Sequence, residues 1–163
     1  MDLLTTSEEE IDQRTSQLRF NIKLLAKRLC GATTWTLRQP DLRGLSLGYF
    51  GASTGAAAAL VAAAQMSGAV AAVVSRGGRP DLAGGALGSV LAPTLLIVGG
   101  NDRPVIDLNE QALAALGCSE KKLVIIPGAT HLFEEPGALE EVANFASDWF
   151  ARHFASRGPT KTE

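Results

Sequence analysis

The chain is short of nearly everything that ties a protein to a charged polymer or a membrane. Lys and Arg number 15 against 17 Asp and Glu, a net charge of −2, and the pI is near 5.7. No cationic excess is present to neutralise phosphates, so neither nucleic acid nor an anionic membrane is expected as a partner. No apolar run approaches the roughly 18 residues of a membrane-spanning helix. The N-terminus MDLLTTSEEE is acidic and has neither the basic nor the apolar region of a secretory signal. The two cysteines, Cys30 and Cys118, lack the spacing of a metal site and read as free thiols, which makes the cytoplasm the expected compartment. GASTGAAA is glycine-rich but carries neither G-x-G-x-x-G nor G-K-[ST], so it does not read as a phosphate cradle. No metal or organic cofactor is implied.

What the chain does have is a core. Hydrophobic residues make up 46% of its 163 positions, enough for one soluble domain. Ser7 to Glu10 reads as a capping box with Ser7 as N-cap. Ile11, Leu18, Ile22, Leu25 and Leu29 then give one helix an apolar face. Gly31 ends or bends that helix, and a second helical stretch over 33–38 stops before Pro40. Beyond this point short apolar runs alternate with helical patterns. Strands are expected at 45–50 (LSLGYF), 69–75 (AVAAVVS), 94–100 (TLLIVGG) and 122–128 (KLVIIPG). Helices are expected at 55–66 (GAAAALVAAAQM), 104–116 (PVIDLNEQALAAL, stopped by Gly117) and 136–154. A glycine-rich loop with one short helix fills the stretch after residue 75. Apolar runs without a period of two mark strands buried on both faces. The fold class is therefore α/β, with about four parallel strands and helices on both sides of the sheet. One domain over 1–155 is expected, followed by a frayed tail at 156–163.

The stretch Gly51-Ala52-Ser53-Thr54-Gly55 joins the first strand to an alanine-rich helix. Ligands of open parallel sheets bind beyond the carboxyl ends of the strands. A serine on a bend this tight can expose its hydroxyl there, with small neighbours where strand and helix nearly collide, as in a nucleophile elbow. The helix N-terminus aims the Thr54 N–H at an oxyanion formed beside it. A serine hydroxyl needs a base. His131 lies just past a strand end and His153 lies within the last helix, so His131 is the candidate and His153 a packing or surface residue. The base needs an acid. Asp102, in GGND, sits directly on a strand end and is preferred to Asp81, which follows the preceding strand. Arg76 and Arg79 either hold an anionic substrate group or remain solvated loop cations.

GYFGASTGAAAAL, PTLLIVGGND and PGATHLFEEPG together resemble small bacterial α/β-hydrolases of the dienelactone hydrolase type, in particular hydrolase domains found beside phosphoribosyltransferase domains. The resemblance implies Ser53 as nucleophile, Asp102 as acid and His131 as base, acting on a small-molecule ester or related acyl substrate. Dienelactone hydrolases proper carry a cysteine nucleophile where this chain has Ser53. The family also has several strands ahead of the helix that precedes the elbow, one ending in an H-G loop that donates to the oxyanion. No HG dipeptide occurs here, and MDLL reads as the exit of a preceding strand. The expectation is an N-terminally truncated fold whose 45–50 strand is an apolar edge prone to self-association. Activity impaired by the loss of one oxyanion donor, or a non-catalytic interaction module, would follow.

Overall fold

A computed structural model describes residues 1–155; the tail expected at 156–163 lies outside them. Four strands form one sheet in the order β1-β2-β3-β4: β1 Leu47–Ala52, β2 Val70–Arg76, β3 Thr94–Gly99 and β4 Lys121–Ile126. Every neighbouring pair is parallel. The expected strands are all present, displaced by one or two residues, the usual uncertainty of element ends.

Residue parity along the strands sorts the core into two faces. Tyr49, Val73 and Leu96 point to one side, against α3 (Thr54–Gln65) and α4 (Arg103–Ala115). Val74, Leu95, Ile97 and Val124 point to the other, against α5 (Ala138–Ala155). Alanines 56–59, 62 and 63 of α3 are all buried. Their small side chains let that helix lie close to the sheet while α2 (Ile22–Leu37) covers it through Ile22 and Leu25. The stretch after β2 is a 3₁₀ segment, Pro80–Ser89, kinked at Gly84.

The N-terminal region departs from expectation. The helix cap is Thr5, not Ser7: Glu8 donates its N–H to the Thr5 hydroxyl and accepts the Thr5 N–H at 2.8 Å. The S/T-x-x-E pattern occurs in overlapping copies, and a tertiary contact selects among them, because both Glu8 oxygens also pair with Arg28 of α2 at 2.6 Å. A single long helix does not form. α1 is Thr6–Thr15 and ends with Ser16 in the left-handed region. Ile11, assigned to the apolar face, is 47% exposed, and Asp12 takes the buried position at 3%. Its carboxylate accepts the N–H groups of Leu18 and Arg19 at 2.7 and 2.9 Å, which stabilises a turn in place of further helix. Gly31 does not end a helix; α2 runs through it and takes in the stretch beginning at Thr33.

The hydrogen bonds from Arg28, and then from Thr5, lower the Glu8 pKa from 4.5 to about 2. A depressed carboxylate stabilises the fold above its ordinary pKa and loses that contribution as pH falls through the folded value. Arg28→Met should therefore lower the Tm at neutral pH, with the gap to the parent protein closing as pH falls from about 4.5 toward about 2. Paired thermal melts across that range check it; a gap independent of pH would contradict it.

Candidate active site

Ser53 follows β1 directly and has φ 48° and ψ −122°, a conformation side-chain-bearing residues avoid. The bend is held through its backbone. Ser53 donates its N–H to the Arg76 carbonyl at 3.2 Å, and its own carbonyl accepts from Ala56 at 3.2 Å and Arg79 at 3.1 Å. A Cβ at Gly51 would lie 2.6 Å from the Gly55 carbonyl oxygen and 2.7 Å from the Ala56 Cα, so strand and helix do collide there. The same expectation fails at Gly55, where an added Cβ would meet nothing within 4 Å. Thr54 is the first residue of α3, where an N–H has no acceptor inside the helix.

The last two strands bring their loops together. Asn101 donates its backbone N–H to Ala129 at 2.9 Å and its side-chain amide to Gly128 at 2.8 Å, while Gly100 donates to Ile126 at 2.8 Å. A Cβ at Gly99 would stand 2.5 Å from the carbonyl oxygens of both Ala129 and Thr130. The loop after β3 is thus laced onto the loop after β4. Asp102 opens α4 but its side chain does not cap it; the carboxylate lies 2.6 Å from His131 Nδ1. A proton on Nδ1 is donated to that carboxylate, which leaves Nε2 as the open ring nitrogen. His131 also packs on Gly77, its carbonyl oxygen 3.2 Å and Cε1 3.6 Å from where a Gly77 Cβ would stand. Gly77 follows Arg76, whose carbonyl receives the Ser53 N–H. The Ser53 backbone and His131 thus lie against the same Arg76-Gly77 turn.

No family model matches the chain. The crystal structure of a dienelactone hydrolase from Anabaena variabilis superposes with a TM-score of 0.89 at 64% identity, over 94% of this chain and 70% of that one. The chain belongs to the dienelactone hydrolase family. Two Mycobacterium tuberculosis strains have proteins named as phosphoribosyl transferases that are 58% identical over 159 residues, 98% of this chain and 35% of theirs. The chain thus spans about a third of the length of these curated relatives. Est1E from Butyrivibrio proteoclasticus, 15% identical with a TM-score of 0.64 over 80% of this chain and 71% of that one, shares the fold.

In this family member the substitute acid is otherwise engaged. Asp81 accepts two bonds from Arg79, at 2.8 and 2.7 Å, and that guanidinium holds the Asp81 carboxyl below its ordinary pKa. Arg79 is thus an ion-paired, partly exposed cation. The Arg76 guanidinium sits 5.6 Å above the Phe133 ring. His153 is buried, its ring 4.5 Å from Trp149, which is the packing alternative of the two roles expected for it. Among the described residues no cluster of His, Cys, Asp or Glu could hold a metal ion. None of their helices is long and apolar enough to cross a membrane.

Sequence reasoning missed several supporting residues. Gly77 and Gly99 make room for the histidine loop, and Asn101 laces it. Phe133 is fully buried with φ 58°, its N–H on the Thr130 carbonyl at 3.3 Å, and turns the loop back into the core. The signal for Gly99 and Asn101 was visible in GGND, as a strand end with no side chain followed by an amide. Nothing local marks Phe133. A hollow of 530 Å³ opens beside Ser53 and Thr54, lined also by Leu3, Leu4 and Phe20.

Proposed function

We propose that the chain is a serine hydrolase acting on an ester or related acyl substrate through Ser53, His131 and Asp102. The observation that carries this is the 2.6 Å contact between His131 Nδ1 and Asp102 at the rim where Ser53 occupies its strained bend. Ser53 Oγ attacks the carbonyl carbon and His131 Nε2 takes its proton. Asp102 fixes the tautomer and stabilises the imidazolium. The Thr54 N–H, at the positive end of α3, donates to the oxyanion. Collapse expels the alcohol, protonated by His131, and leaves an acyl-enzyme. Water, deprotonated by the same imidazole, then releases the acid and restores Ser53. A stopped-flow experiment with p-nitrophenyl acetate tests the scheme. A burst of about one equivalent of nitrophenol, followed by slower turnover, is expected; the absence of nitrophenol release would reject the proposal.

A second role rests on a separate observation. β1 pairs only with β2 among the described strands, and Leu45 and Phe50 are 67% and 51% exposed. Phe50 lies with Leu37, Phe150 and Phe154 along a groove of 410 Å³. Apolar residues beside unpaired strand backbone favour pairing with another chain, and we propose that this edge self-associates. Phe50→Lys should shift sedimentation velocity profiles toward monomer. An unchanged distribution, or a parent protein monomeric throughout, would rule the edge out.

A further inference from the structure

The far wall of the hollow beside Ser53 is the turn between α1 and α2, and this turn is built with more care than a connection needs. Asp12 is 3% exposed. It accepts the Leu18 and Arg19 N–H groups, and its other oxygen accepts Arg19 Nε at 2.6 Å. Burial alone would raise the Asp12 pKa; the Arg19 and Leu18 hydrogen bonds outweigh it and hold the carboxyl below its ordinary value. Asn21 donates its N–H to the Leu18 carbonyl at 3.0 Å and caps α2 by accepting the Leu24 N–H at 3.2 Å. The Phe20 carbonyl receives the Ile22 N–H at 2.9 Å. The backbone on either side of Phe20 is thus held by hydrogen bonds.

The residue displayed by this fixed turn is a large aromatic left 51% exposed, lining the hollow that also holds Ser53 and Thr54. Leu3 and Leu4 extend the same apolar wall. The charges in the hollow are unbalanced. Arg19 is matched by Asp12 at 2.6 Å, whereas Asp2 and Glu9, which also line it, carry further negative charge. An apolar ring on the hollow that Ser53 also lines favours an apolar substrate group. Acidic residues around it repel a substrate carboxylate.

We propose that Phe20 is a specificity-determining residue, and that the substrate is an uncharged ester whose aromatic or bulky apolar group seats on it. The proposal rests on the hydrolase reading for its chemistry, but the placement of Phe20 does not. The test compares ethyl acetate, benzyl acetate, ethyl phenylacetate and the carboxylate-bearing 4-carboxybenzyl acetate, each followed by pH-stat. At least one aromatic ester should exceed ethyl acetate in kcat/KM by about 10–100-fold, and the carboxylate analogue should lose most of that advantage. Phe20→Ala should abolish the preference, with Phe20→Leu in between. The half-exposed ring makes loss of folding an unexpected outcome; unchanged circular dichroism confirms that, and Phe20→Leu answers the question if alanine unfolds the chain. A second arm places Phe20→Ala in the Ser53→Ala background and follows benzyl acetate and ethyl phenylacetate binding by saturation-transfer NMR. Binding by Ser53→Ala that is lost in the double variant supports the proposal even if the parent protein hydrolyses nothing, in which case only the hydrolase reading falls. Turnover with the same ester preference in the parent protein, Phe20→Ala and Phe20→Leu would overturn the assignment of Phe20 and leave the hydrolase reading standing.

Discussion

Ser53→Ala is expected to reduce ester turnover by about 10⁶-fold, the loss seen when the nucleophile of a serine triad is removed. The size follows from what the residue does: without Oγ no acyl-enzyme forms, and His131 has no serine proton to take. Folding should be unaffected. The bond to Arg76 and the bonds from Ala56 and Arg79 all use the Ser53 backbone, and alanine retains the same Cβ at φ 48°. Equal Tm values in the two proteins, together with the lost rate, are the expected pair of results. A variant keeping more than about one-hundredth of parent activity would place the nucleophile elsewhere.

Asp102→Asn should cost about 10⁴-fold in kcat. The amide fits the same space 2.6 Å from His131 Nδ1, but it can present an N–H to Nδ1. That stabilises the tautomer with its proton on Nε2, where a free lone pair is needed to receive the serine proton. Asp81→Asn is the matched control. It has the same chemistry on the neighbouring loop but its carboxylate pairs with Arg79 and not with His131, and turnover should stay near the parent value. Steady-state kinetics of the two variants on one ester decide the matter. Equal losses, or a larger loss at Asp81, would reassign the acid.

The alternation of strands and helices was legible because parallel strands buried on both faces leave unbroken apolar runs, as in β2 and β3, where nearly every residue is buried. Gly51 was legible for a related reason, since the steric demand of a tight bend can be met only by a residue without a side chain. Gly55 shows the limit of that reasoning: the motif requires the residue, while the space around it does not. The break between α1 and α2 was not legible. Helical spacing counted Leu18 as continuing the face begun by Ile11, whereas Asp12 recruited the Leu18 N–H into a turn, a local competition that periodicity does not weigh. The order Ser53, Asp102, His131 was read from strand ends alone. The residues that hold the acid and base together, Gly99, Asn101 and Phe133, act across more than one loop, and their contacts emerge only once the loops are packed.

Mapping the site of covalent capture tests the central claim most directly. The full chain is treated with a fluorophosphonate, digested, and its peptides sequenced by mass spectrometry. A single adduct on Ser53 is predicted, formed at parent rate in Asp81→Asn and greatly slowed in Asp102→Asn. A folded preparation that takes up no label, or takes it on another residue, would contradict the assignment of Ser53 as a nucleophile activated by His131 and Asp102.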